Sequence, residues 1–305
     1  MTIEDFVRLT AHTAINTDGW TNVGGIALEN FTIAVDSTAS ISDSRLLRKR
    51  LEEFYPLPIK YLILTHYHQD HINGRQAFKD VQIICSGFMP IEKSRIKNAI
   101  TFRDQHIIED GKKEVQILQA GGHTVDSIFV YVPDEEILFA GDLIFENIFP
   151  PFSSDPTCNP ELWIQALERI KSFKSAKIVP GHGPVLDGRT IDNHIANLQR
   201  IRQSIREAIK ENIKPREIEI SDYYGELHTR WLNGLLSHWY PFYKIIDTIP
   251  ALVEDLQSNS REQNIRSLSQ MTLKELAVLA NHLKIQIRGN KNAKIEQIVD
   301  FMDEH

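Results

Sequence analysis

Between positions 65 and 71 the chain reads Thr65-His66-Tyr67-His68-Gln69-Asp70-His71. Imidazole nitrogen and carboxylate oxygen are ligands for zinc and related divalent ions, so this density of His and Asp is a metal-ligand set. His66 and His68 can converge on one ion. Asp70 and His71, displaced by the turn, can address a second ion beside it. Further along, Gly121-Gly122-His123-Thr124, Gly141-Asp142 and Pro180-Gly181-His182-Gly183-Pro184 each deliver one His or Asp through a turn containing glycine. Glycine permits close backbone approach and unusual dihedral angles there. Taken singly, His123 reads as a satisfied polar residue, Asp142 as a helix cap and His182 as a turn residue. Taken with the His-rich loop, they supply the missing ligands: His66, His68 and His123 for one ion, Asp70, His71 and His182 for another. Asp142 lies between, because each oxygen of a carboxylate can serve one cation.

The elements that must position these groups are legible as apolar runs. Tyr61-Leu62-Ile63-Leu64 precedes the His-rich loop, Val115-Gln116-Ile117-Leu118 precedes His123, Ile137-Leu138-Phe139-Ala140 precedes Asp142, and Ala176-Lys177-Ile178-Val179 precedes His182. Each reads as a short strand ending where a ligand can be reached. Earlier, Val23–Leu28 and Phe31–Asp36 read as strands joined by a turn at Glu29-Asn30. Ser42 to Phe54 carries Leu46, Leu47, Leu51 and Phe54 at helical spacing and is closed by Pro56 and Pro58. Gln76-Ala77-Phe78 reads as helix, while Val81–Ile84 and Ser127–Val132 read as strands. Phe88 to Ile100 reads as an amphipathic helix, either solvated or forming a flap beside the site. The order is that of a layered α/β fold with helices outside a sheet.

Composition bounds the rest. The 305 residues, 42% hydrophobic and 25% charged, are those of an ordinary globular protein with room for more than one domain. A formal charge of -7 and a pI near 6.0 provide no global field for a polyanion. Cys85 and Cys158, far apart, form neither a disulfide framework nor a cysteine zinc site. The amino terminus has no signal-peptide pattern and no stretch is apolar enough to span a membrane, so the expected location is cytoplasmic.

The His-rich loop, Gly122-His123-Thr124-Val125-Asp126-Ser127, Phe139-Ala140-Gly141-Asp142 and Pro180-Gly181-His182-Gly183 resemble, in order and spacing, the successive motifs of the metallo-β-lactamase-fold hydrolases. The resemblance covers roughly the first two thirds of the chain. It implies an αββα sandwich with metals at one edge of two sheets, and a binuclear hydrolase whose cofactors are two divalent ions, Zn2+ first, with Fe or Mn as alternatives. Within that family the bridging position is Asp142, where the zinc β-lactamases have a Cys or no bridging carboxylate, so the site resembles glyoxalase II and the lactonases more closely. The large inserted domain of the nucleic-acid-cleaving branch has no room here, and His68 stands where the redox branch has an acidic residue. Two cations ~3.5–4 Å apart lower the pKa of a shared water from 15.7 to about 7, so a bridging hydroxide exists at neutral pH. Asp70 and Asp142 are thus the catalytic candidates, with a small ester, lactone or thioester as substrate. Ser127 is expected to fix the His123 loop through hydrogen bonds.

The expected domains are a hydrolase core at 1–190, a helical extension packing on it at 191–258, and a small module at 266–305. Asp192 to Ile213 is a long amphipathic helix. An aromatic-rich helical segment follows, running from Tyr223-Tyr224 through Trp231, Trp239 and Tyr240 to Tyr243, with His228 and His238 expected to be structural. Ser258 to Asn264 reads as a polar linker. The last module, opened by the capping box Thr272-Leu273-Lys274-Glu275, resembles SAP and Rho-N helical modules, which commonly bind nucleic acid. That makes a nucleic-acid-associated phosphodiesterase the alternative function, although Glu296, Asp300, Asp303 and Glu304 offset its basic residues. Self-association as a homodimer is the other role open to the tail.

Overall fold

Strands buried on both faces need apolar residues at every position, not at alternate ones. The runs around the site are of that kind. The computed structural model describes residues 6–17, 19–90, 96, 98–145, 155–220, 229–283, 285 and 287–304. It divides into two compact units, the first formed by residues up to 151 with 158–198, the second by 152–157 with 199 onward.

The first unit contains strands β1 (Val7–Arg8), β2 (Thr13–Asn16), β3 (Val23–Ala27) and β4 (Thr32–Val35), helix α1 (Ile41–Phe54), strand β5 (Ile59–Ile63) and the short helix α2 (Gln69–Ile72). Strands β6 (Gln82–Ser86), β7 (Ile100–Phe102), β8 (Gln105–Asp110), β9 (Lys113–Gln119), β10 (Ile128–Val132) and β11 (Ile137–Phe145) follow. Helix α3 (Pro160–Ser172) then leads to β12 (Lys177–His182) and β13 (Leu186–Asp187). Strands β1 to β7 form one sheet in sequence order; the other runs β13-β12-β11-β10-β9-β8.

Alternation along each strand builds the layers. Ile33, Val35 and Ile63 point between the sheets, where they pack with Val115, Ile117, Val130 and Phe139 of the opposite sheet. Ala34, Leu62 and Leu64 point outward against Leu47 and Leu51, one helical turn apart on α1. Ser40 starts that helix, its hydroxyl accepting from the Asp43 N–H. On the far side α3 covers the second sheet: Trp163 is fully buried and donates Nε1–H to the carbonyl of Leu143 at 2.9 Å. Burying a side chain such as Leu47 or Leu51 contributes ~1.5–3 kcal/mol. The result is the expected αββα sandwich.

Some local readings change. The run read as helix at Gln76-Ala77-Phe78 is helical, as the end of a 3-10 helix over Asn73–Phe78. Of the stretch from Phe88 to Ile100, residues 91–95 and 97 lie outside the described residues, and Ile100 opens β7.

The second unit is helical. Helix α4 (Ile191–Lys210), within which the division between the units falls, is followed by α5 (Thr229–Ile246), α6 (Ile249–Ser258), α7 (Arg261–Ser269), α8 (Leu273–His282) and α9 (Lys291–Glu304). Tyr223, Tyr224 and His228 lie outside the described residues, as does the side chain of Trp231. The stretch read as a linker is instead the end of α6 at Ser258, its C-cap Asn259, the N-cap Ser260 and the first turn of α7. Ser260 caps the Gln263 N–H and the Gln263 side chain returns to the Ser260 N–H, so its polar residues close a helix end. Ile245, Leu256, Leu268, Leu276, Ile298 and Met302 share one core across that stretch. Among the described residues no helix is long and apolar enough to cross a membrane.

Candidate metal centre

Strand ends from both sheets converge at one edge of the sandwich. The first sheet brings the loop after β5, with His66, His68, Asp70 and His71; the second brings His123 from the β9–β10 turn, Asp142 from β11 and His182 from the end of β12. Asp142 sits within β11, where the pairing with β12 slips between Phe139 and Gly141 and again before Phe145. That irregularity re-aims the strand at the site.

Two donor groups result. His66, His68, His123 and Asp142 each offer a ligand atom, all within 4.8 Å of one another, and so do Asp70, His71 and His182. In the first group, His123 Nε2 lies 3.0 Å from His68 Nδ1 and 3.4 Å from Asp142 Oδ2, and His66 Nε2 lies 3.5 Å from that same oxygen. The other carboxylate oxygen, Asp142 Oδ1, faces the second group: 3.1 Å from His71 Nε2 and 3.3 Å from His182 Nε2. His182 Nε2 is also 3.3 Å from Asp70 Oδ2. Donors held ~2.1 Å from a tetrahedral centre stand about 3.4 Å apart, so these separations fit two divalent ions sharing Asp142. Buried polar atoms ordinarily carry a hydrogen bond. His66 Nε2, His71 Nε2 and Asp142 Oδ1 are buried and close none, which is the state expected of atoms shaped to hold a cation.

The electrostatics agree. Burial drives the His66 imidazole well below its usual range, with the His71 charge adding to the effect, so it presents a lone pair. Burial also opposes charge on His71 and His182, but the carboxylates overcome it: Asp142 and Asp36 raise His71 well above 6.5, and Asp142 and Asp70 raise His182 to about 9. Asp142 is correspondingly held well below the carboxylate range against its own burial, and Asp70 falls to about 2 through its bond from His182. The second group thus demands positive charge, and a cation would meet that demand in place of protons. Asp70, with 27% of its side chain exposed, and half-buried His68 mark the open side.

Partners behind the donors fix their direction. Asp36, at the end of β4 with φ 63°, is buried; Oδ1 accepts from the Thr65 N–H and Oδ2 from the Thr65 hydroxyl and His71 Nδ1, each at 2.8 Å. With Nδ1–H so committed, His71 must present Nε2. Ser37 holds the His71 carbonyl through both its N–H and its hydroxyl. At the His123 turn, Gly122 has φ 104° and lies so close to α3 that a Cβ would stand 2.6 Å from Trp163 Cα. Ser127 accepts from the Thr124 N–H and pairs with its hydroxyl, closing that turn. Phe145 stacks 5.4 Å from the His182 ring.

Every sequence-derived candidate, from His66 to His182, falls in this cluster. His238 joins no donor group among the described residues. Sequence reading passed over Asp36, although it ends an apolar strand run as Asp142 does, and over Trp20-Thr21-Asn22. His182 Nδ1 donates to the Trp20 carbonyl at 2.6 Å.

Residues 19–182 match the family model described as the Metallo-beta-lactamase superfamily. The "Beta-lactamase-like protein 2 homolog" of Caenorhabditis elegans is 25% identical over 172 residues, covering 54% of this chain and 56% of that protein. The "Hydroxyacylglutathione hydrolase" of Psychromonas ingrahamii is 34% identical over 95 residues, 30% of this chain and 35% of the other. The chain spans about half the length of the curated relatives it matches. Among solved structures, a metallo-beta-lactamase from Pontibacter korlensis superposes with a TM-score of 0.58 at 20% identity, covering 65% of this chain and 99% of that one.

Proposed function

Because this chain belongs to the metallo-beta-lactamase superfamily, we propose that its strand-end cluster is a binuclear centre that hydrolyses a small ester, lactone or thioester. The observation that carries the reading is the placement of Asp142, one oxygen facing each donor group. His66, His68, His123 and Asp142 would hold one divalent ion, zinc being the best match to such donors, and Asp70, His71, His182 and Asp142 the other. When bound there, such ions would supply acidification of water and stabilisation of negative charge on a carbonyl oxygen.

The protein's own groups supply the rest. Asp70, held below the usual carboxylate range by its bond from His182 against its burial and partly exposed, is the group that would accept a hydrogen bond from the attacking water and orient it. His71 and His182 are kept as Nε2 donors by Asp36 and by the Trp20 carbonyl. Phe145 and Trp163 flank His123 at 5.5 and 5.2 Å and give that side an apolar lining. The Ser127 hydroxyl is engaged by Thr124 and closes the His123 turn, so it is not assigned as a nucleophile.

An acyl substrate is supported by Asp142 in the bridging position and by the relative named for hydrolysing hydroxyacylglutathione. In the C-terminal unit three of the basic residues are already engaged within the chain. Arg261 is held by Glu296, Asp300 and Asp303, Lys291 by the Ser269 carbonyl, and Lys274 by the Ser237 carbonyl. The test is metal analysis of the purified protein with turnover of a thioester, a homoserine-type lactone, a β-lactam and a phosphodiester. Two metal equivalents with ester, lactone or thioester cleavage support the reading; cleavage of the phosphodiester alone overturns it.

A further inference from the structure

The two donor groups differ in what holds them from behind. In the first, His66 Nδ1 meets the Thr65 hydroxyl at 3.2 Å, next door in the chain. In the second, His71 is anchored by a buried carboxylate, Asp36, and among the described residues His182 Nδ1 is held by the neutral carbonyl of Trp20. That carbonyl belongs to the connection between β2 and β3, in the opposite sheet from β12.

The next two residues of this connection act on the same site. The Thr21 hydroxyl donates to Asp70 Oδ2 at 3.3 Å. The Asn22 side chain donates to the carbonyls of Pro180 and Gly183, both at 2.8 Å, and its N–H donates to Gly181 at 2.9 Å. Thus Asn22 grips the turn that bears His182 on both sides of it. Trp20, Thr21 and Asn22 each hold a ligand of the second group or the turn carrying it, and none of these bonds reaches His66, His68 or His123.

We infer that Trp20-Thr21-Asn22 is a clasp that sets the strength of the second cation site alone. The inference rests on the two-site reading above. A ligand whose far nitrogen is hydrogen-bonded is oriented and made more basic, and loss of such a partner ordinarily weakens a site 10–100-fold. Because Asp142 is shared but the clasp is not, loosening it should separate the two affinities.

The experiment is titration of the metal-free full-length chain with Zn2+ in competition with a chromophoric chelator, resolving both equivalents. Asn22→Ala should weaken the second equivalent ~10–100-fold and leave the first within about twofold. Thr21→Val keeps shape and backbone and removes only the bond to Asp70; it should weaken the second equivalent several-fold. If Asn22→Ala does not fold, Thr21→Val decides alone. Both equivalents weakening by one factor, or neither moving, overturns the clasp, since a merely structural role would not change their ratio. A wild-type protein that binds a single equivalent would instead overturn the two-site reading itself.

Discussion

Gly181 offers the sharpest perturbation of the proposed bridge. A Cβ built on it would lie 1.9 Å from Asp142 Oδ1, 2.9 Å from the Gly141 carbonyl carbon and 3.0 Å from the Asp142 nitrogen. Its backbone is not left-handed, so Gly181→Ala adds a steric conflict and little else. Either the carboxylate swings away or the end of β12 backs off, by about 1 Å in either case, against the ±0.2 Å that ligand distances tolerate. The oxygen displaced is the one facing His71 and His182. We therefore expect the second zinc equivalent to weaken by ~100-fold or more, about 2.8 kcal/mol at 1.4 kcal/mol per tenfold. The first should lose ~10-fold, because Oδ2 can follow only part of the movement. Overpacking should also cost ~1–3 kcal/mol of stability. Competitive zinc titration reads the affinities and urea denaturation the stability. Gly234 is the control: nothing lies within 4 Å of its built Cβ, so Gly234→Ala in α5 should stabilise by ~0.5–1 kcal/mol and leave both affinities alone. Two equivalents of unchanged affinity in Gly181→Ala would refute the bridging geometry.

Three further outcomes are expected. Asp142→Ala should lose one metal equivalent and turnover together; retention of both ions with full activity would remove Asp142 from the bridge. Asp36→Asn keeps a residue that tolerates φ 63° but places an amide against the Thr65 hydroxyl and His71, so both zinc affinities should fall ~10–100-fold, unlike the clasp variants. In the helical unit, burial would raise Glu275, yet the Thr272 N–H and Lys244 hold it below its ordinary 4.5. A lowered acid stabilises above its unfolded value and ceases to as pH falls through its folded one. Glu275→Gln should accordingly cost ~1 kcal/mol at pH 7, Lys244 being half exposed and screened, and the cost should shrink below pH 4.5 in urea denaturation.

What could be read from the chain depended on how locally each feature is encoded. The runs at Phe31–Val35 and Tyr61–Leu64 declare their strands because both faces are buried. β2 does not: Thr13 and Asn16 are buried polar residues, and Thr13 is satisfied by Glu135, distant in the chain. β8 is an edge strand with Gln105, Ile107 and Glu109 exposed, so its composition resembles a loop. The ligands were legible because metal chemistry restricts residue type. Asp36 and Asn22 were not, because hydrogen-bond partners can be of many types and their targets, His71 and the Pro180–Gly183 turn, lie far along the sequence. The stretch from Ser258 misled in the opposite way, since a capping box and a linker are built from the same polar residues.

The origin of the donors gives the centre a structural role as well. His66 to His71 come from one sheet, and His123, Asp142 and His182 from the other, so ions held there would tie the layers of the sandwich at its edge. Without them the same edge carries buried carboxylates, Asp36 and Asp142, which cannot be left uncompensated. Asp142 with Asp36 raises His71 against its burial, and Asp142 with Asp70 raises His182, so this edge favours positive charge. The His nitrogens of the second group are aimed by Asp36 and the Trp20 carbonyl. On the open side of the cluster stand Asp70, His68 and the exposed Trp20 indole, which lies 4.9 Å from the His182 ring.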